Sequence, residues 1–157
     1  MTTAGTVDTI ALLQTLAAGV SGIVTAPTTK YPVALDTASL PAVLTYVGSA
    51  TTRAITLSPL HRRMDRTYYM ACYIEALGQN TSNQRIQNSM ALLQRFLDML
   101  ITNRNLANGV RVIGEVRDSG IISGADLISG NAGYLVYNSQ AYTGFVLEIS
   151  VVEVNRA

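Results

Sequence analysis

Residues 141–155 read AYTGFVLEISVVEVN, and the two faces of this stretch decide the fold. Phe145, Leu147, Ile149 and Val151 alternate onto one side, as a strand with a buried face requires, while Val146, Glu148, Ser150 and Val152 take the other. Half of the second set is apolar. The spacing therefore predicts a strand covered fully on one face and partly on the other. For the second cover the sequence leaves two sources: a layer within the same chain, best supplied by the N-terminal helix, or an adjacent copy.

Upstream, GYLVYNSQAYTGF (133–145) reads as a strand, a polar turn and the approach to the final strand, and VRVIGEV (110–116) as another short strand. The segment RDSGIISGADLISGNAG (117–133) lacks periodicity and is expected to be a Gly/Ser-rich loop over about 118–133. Before these strands, Ile86, Met90, Leu93, Leu97 and Leu100 follow helical spacing, widened by Phe96, Met99 and Ile101. They predict one long helix from about Ser82 to Leu106, with Thr81 and Gln84 as a capping box and Asn108-Gly109 as the stop.

In the first half of the chain, Val7, Ile10, Leu13 and Ala17 predict an N-terminal helix behind Thr6 as N-cap, ended by Gly19 and Gly22. Ile23–Thr25 reads as a short strand. Residues 27–41 carry prolines incompatible with an interior helix or central strand, and are expected to form a connection or an arm. AVLTYVG (42–48) is a strand. TRAITLS (52–58) and TYYMACYIEAL (67–77) are expected to be the legs of a hairpin whose basic tip, PLHRRMDR, spans 59–66. Helix, strands, long helix, strands is the order of an α+β fold. The expectation is one domain over 1–157: a mainly antiparallel sheet with the long helix packed across it and an N-terminal helix.

Composition narrows the function. The chain has 157 residues, of which 48% are hydrophobic and only 13% charged, against about 25% charged in an average domain. A surface so poor in charge suits contact with other protein. Eleven basic and ten acidic residues nearly cancel, so no long-range field draws in nucleic acid or an anionic membrane. One cysteine, Cys72, excludes an internal disulfide, and with one histidine leaves no metal cluster. The apolar middle of the N-terminus lacks a basic leader and is interrupted by Asp8 and Gln14, so neither a signal peptide nor a membrane span is expected.

No chemistry-bearing motif emerges. His61 lies among Arg62, Arg63 and Asp65 without an orienting partner or nucleophile, and Cys72 shares a strand face with Met70 and Ile74. Asp118 and Asp126 are two acids in the Gly/Ser-rich loop that support a small ligand-binding or enzymatic domain as one alternative. The glycines there match no phosphate loop. The tip Arg62, Arg63 and Arg66, with Arg53 nearby, is the densest positive cluster and reads as a solvated turn first, then as a docking contact to acidic protein, and last as a direct contact to nucleic acid.

Taken together, GIVTAP (22–27), LPAVLTYVG (40–48), RTYYMACYIEAL (66–77), the long helix and YTGFVLEISV (142–151) resemble, in their order, the tail terminator (tail-completion) proteins of long-tailed bacteriophages. The resemblance implies a structural virion protein without enzymatic activity, cofactor or metal. Such a protein forms a ring, usually a hexamer, that caps the tail tube and joins it to the head connector or head-closure protein. DNA passes through without sequence-specific binding, and the protein resides in the tail or neck after assembly in the host cytoplasm. A head-closure or tail-tube subunit is the alternative within the same machine. The expected assembly residues are Lys30 and Tyr31 of the arm, His61, Arg62, Arg63 and Arg66 of the tip, and Val146 and Val152 of the final strand.

Overall fold

The computed structural model describes residues 6–48, 61–76, 83–106, 111–122 and 135–156. Their order is α1 (Thr6–Ala18), a 3-10 turn (Thr37–Ser39), β1 (Ala42–Val47), β2 (His61–Ala76), α2 (Asn83–Thr102), β3 (Arg111–Asp118), β4 (Leu135–Tyr137) and β5 (Gln140–Arg156). The strands pair antiparallel in the order β1-β2-β5-β3, with β4 also on β5. This is the expected α+β architecture.

The final strand is the spine of the sheet. β5 runs 17 residues and its ladder with β2 extends from Tyr142↔Ala76 to Arg156↔His61. On its other edge it carries β4 at 140–142, the bridge Ile122↔Gly144, and β3 from Leu147 to Glu153. Asn138 and Ser139 both take positive φ, 47° and 64°, which gives the tight β4–β5 turn the twist that flanking strands require. Gly144 is obligatory for another reason. A Cβ there would lie 1.8 Å from the Cys72 carbonyl oxygen, so only glycine lets β5 approach β2 at this point.

Both helices cover one face. Phe145, Leu147, Ile149 and Val151 of β5, with Val43, Tyr68, Met70 and Cys72, are buried against Leu13, Ala17 and Val20 and against Leu92, Phe96 and Leu100 of α2. The Phe96 and Phe145 rings meet edge to face at 5.6 Å. Burying each of the Val, Leu, Ile, Phe and Met side chains in this cluster contributes roughly 1.5–3 kcal/mol. The stripe on α2 differs in phase from the expected one: Phe96 sits at its centre, and Met90 is 57% exposed. Leu93, Leu97 and Met99 pack at its margins. The helix also stops at Thr102, because Arg104–Leu106 turn to bond the edge of β3 through Ile113 N–H to Arg104 O and Leu106 N–H to Arg111 O.

Other expectations change. His61–Arg66 are not a hairpin tip but the first part of β2, paired with Val151–Arg156. The leg 52–58, the capping box at Thr81 and most of the Gly/Ser-rich loop lie outside the described residues. Thr6 is already the first residue of α1. Ile23–Thr25 is reduced to one bridge, Thr25↔Ala42. Residues 27–41, expected as an arm, fold back along the sheet as a strap, with a cis Leu40–Pro41 peptide. No helix among the described residues is long and apolar enough to cross a membrane.

Candidate functional site

The second face of the sheet is divided in two. Its residues follow from the register: Tyr46 opposite Tyr69 and Leu44 opposite Ala71 between β1 and β2, then Tyr69 opposite Glu148 and Ala71 opposite Val146 between β2 and β5. The strap covers one end. Leu35 is buried among Ala42, Leu44, Ala71, Tyr73 and Tyr142, and Tyr31, Leu40, Leu135, Tyr137 and Val146 pack around them. Tyr142 donates its hydroxyl proton to the Leu35 carbonyl at 2.9 Å, and Tyr137 donates to the Pro32 carbonyl. The cover predicted for this face thus comes from the proline-rich segment and not from α1, which lies on the opposite side.

The other end stays open among the described residues. Tyr46 and Tyr69 are each 37% exposed, and Val152 is half-buried between its cross-strand neighbours Asp65 and Val112. Glu148 and Ser150 continue the row toward exposed Arg117 and Glu115, whose side chains form an ion pair at 2.9 Å. Along the register the aromatic pair Tyr46–Tyr69 and the aliphatic pair Val152–Val112 are separated by a polar row, Thr67, Ser150 and Glu115, with Glu148 beside Tyr69; a mixed apolar and polar surface of this kind suits contact with other protein. Burial first, and then the hydrogen bond with Tyr73, push the Tyr46 hydroxyl far above its ordinary pKa, so it stays neutral.

The edge beside this patch is sealed by polar groups. Gln14, fully buried on α1, donates through Nε2 to the Val43 carbonyl at 2.8 Å and to the Pro27 carbonyl at 2.9 Å, and its Oε1 accepts from Thr45 Oγ1 at 2.7 Å. Val43 N–H donates to the Thr25 carbonyl. The Tyr31 hydroxyl donates to the Thr45 carbonyl and accepts from the Thr45 N–H. Every outward backbone group of Val43 and Thr45 is thereby occupied, so β1 offers no template there for another strand.

At the far end of β5, Glu153 is fully buried at the close of the core stripe. It accepts from Thr9 Oγ1 and from the Tyr68 hydroxyl, both at 2.7 Å on Oε1, while Oε2 faces Arg66 at 3.2 Å. Arg111, nearly buried, is its register partner on β3. From sequence Arg66 belongs to a basic hairpin tip and Glu153 is not singled out, so this cluster appears only in the structure. It ties α1, β2 and β5 together. Desolvation, with the Glu153 hydrogen bond second, raises the pKa of the Tyr68 hydroxyl.

The sequence-derived assembly residues therefore scatter. Lys30 is exposed on the strap. Tyr31 and Val146 face their own chain, and Arg66 pairs with Glu153. Val152 alone lies on the open half-face. His61, Arg62 and Arg63 belong to the end of the β2–β5 ribbon, where 61–63 pair with 154–156 beyond the last residues matched to β1 and β3. Tyr46 and Tyr69, the aromatic part of the patch, were not singled out from sequence; their direct opposition depends on a register that only the pairing of β1 with β2 supplies.

As for chemistry, burial pushes the Cys72 thiol well above its ordinary range. Asp118 is exposed at the end of β3 and accepts from Gly120 N–H through Oδ1 at 2.9 Å, an ordinary turn contact. Asp126 lies outside the described residues. Among the described residues no group of three or more His, Cys, Asp or Glu is placed to hold a metal ion. No protein-family model and no curated protein matches the chain.

Proposed function

We propose that this chain is a structural subunit of a long-tailed phage virion, a terminator-like protein whose copies close into a ring on the tail tube and join it to the head connector. The observation that carries the proposal is the divided second face: the strap buries one half, and on the other, among the described residues, Tyr46 and Tyr69 stay 37% exposed and Val152 half-buried, with Tyr46 met along its edge by Tyr31 of the strap. A face built this way fits a lateral contact between subunits, with Thr67, Glu148 and Ser150 as the polar groups between its apolar residues. The low charge of the chain and the order of its elements, which resembles the terminator family, support the same reading.

The test is negative-stain imaging of the purified protein, alone and with tail tubes. Closed rings, or added mass at tube ends, are the expected outcome. Continuous tubes would instead identify a tail-tube subunit, because a head-to-tail contact that fails to close propagates as a helix.

A further inference from the structure

The two edges of the sheet are treated unequally. β1 is sealed at Val43 and Thr45, as described above. The outer edge of β3 is covered by Arg104–Leu106 only as far as Ile113. There a bulge at Gly114 resets the phase, so that Ser119 bonds inward to Val146, whereas Val116 and Asp118 direct their backbone N–H and C=O groups away from β5. Among the described residues no strand pairs with this stretch. It flanks a groove of about 480 Å³ between β3 and α2, floored by Leu97 and Val116 beside Ile101, which is 67% exposed.

We propose that the edge 114–118 binds the same edge of a second copy, antiparallel about a two-fold axis through Val116. The sequence is self-complementary in this register. Glu115 falls opposite Arg117 of the second copy, and Arg117 opposite its Glu115, so the ion pair now made within one strand at 2.9 Å is matched twice across the contact. Asp118 of the second copy falls opposite Gly114, at the end of the groove where Arg104 lies. The two Val116 residues exchange backbone hydrogen bonds and bring the two Leu97–Ile101 surfaces together. Each component is suited to this occupant: an unpaired edge, apolar surface on the helix side, and opposite charges on both sides of the strand.

The contact uses the same patch on both copies and closes at two. It is separate from the head-to-tail contacts of a ring and does not depend on the function proposed above. Because β1 is sealed at Val43 and Thr45, a sheet continued between copies through these edges runs β3 to β3.

Sedimentation velocity over a concentration series tests it, with Glu115→Arg, Arg117→Glu and the double exchange compared with the wild type. Both side chains are more than half exposed, at 59% and 70%, so the fold tolerates each change, which circular dichroism checks. Each single variant is expected to halve the association number, dimers to monomers or paired rings to single rings, with the dissociation constant raised roughly tenfold or more. The double exchange restores it. A wild type that stays monomeric, or an association number indifferent to Glu115→Arg, overturns the proposal.

Discussion

The Tyr31 hydroxyl stands where a neighbouring strand would stand: it donates to the Thr45 carbonyl at 2.5 Å and accepts from the Thr45 N–H at 3.0 Å. One side-chain oxygen thus satisfies both outward groups of an edge residue, while its ring meets Tyr46 edge to face at 5.7 Å. Tyr31→Phe keeps the ring and removes both bonds. The cost should be about 1–3 kcal/mol in urea denaturation, with faster exchange of the Thr45 amide. Unchanged stability and exchange would show that the hydroxyl contributes nothing to the edge.

Gln14 is the counterpart on α1. Its amide makes three hydrogen bonds to β1 and the strap from a fully buried position, so Gln14→Leu should lose about 2–4 kcal/mol, because the carbonyls of Pro27 and Val43 and the Thr45 hydroxyl lose their partner together. Gln14→Glu is expected to be worse, since a carboxylate would face two carbonyl oxygens. Equilibrium unfolding of the two variants checks the ranking.

Glu153 holds a different balance. Replacing it with Gln leaves the Arg66 guanidinium, whose side chain is 15% exposed, beside a neutral amide, and should cost about 3–5 kcal/mol. Arg66→Met takes an ion-pair partner from the fully buried Glu153 carboxylate and should cost at least as much as Glu153→Gln. Thermal unfolding of both variants measures the difference.

Alkaline titration reads the tyrosines collectively. Burial is the leading cause that raises the hydroxyl pKa values of Tyr31, Tyr46, Tyr68, Tyr73 and Tyr142. A raised folded value means that the unfolded chain ionises first. Stability from these groups is therefore complete below the ordinary tyrosine pKa of about 10 and is lost as pH climbs past it. Absorbance of phenolate against pH should show late-ionising tyrosines that appear together with loss of secondary structure. Ionisation of all tyrosines near pH 10 in a still-folded protein would contradict their burial.

How much of this was legible in the sequence follows from separation along the chain. The alternation of Phe145–Val151 and the helical spacing near Leu97 are local patterns, and both elements stand where they were expected. The strap was not legible as a cover, because a proline-rich segment has no period and its fixing bond, Tyr142 to Leu35, spans 107 positions. The choice of Phe96 over Met90 for the core face was a matter of phase, decided by Phe145 across the layer. Arg66 and Glu153 look like surface charges until the β2–β5 register brings them together. The site was legible only at Val152, whose apolar side chain on a half-polar face marked the half that the strap leaves open.

Val152 is consequently the residue that tests the central claim most directly. The measurement is the mass of wild type and Val152→Asp by size-exclusion chromatography with light scattering, with circular dichroism as the control for folding. Assembly through the open half-face predicts a ring-sized wild type and a variant that is folded but no larger than the residual β3 contact allows. A wild type that elutes as a 16.8 kDa monomer and adds no mass to tail tubes, or a variant that still forms rings, would contradict it.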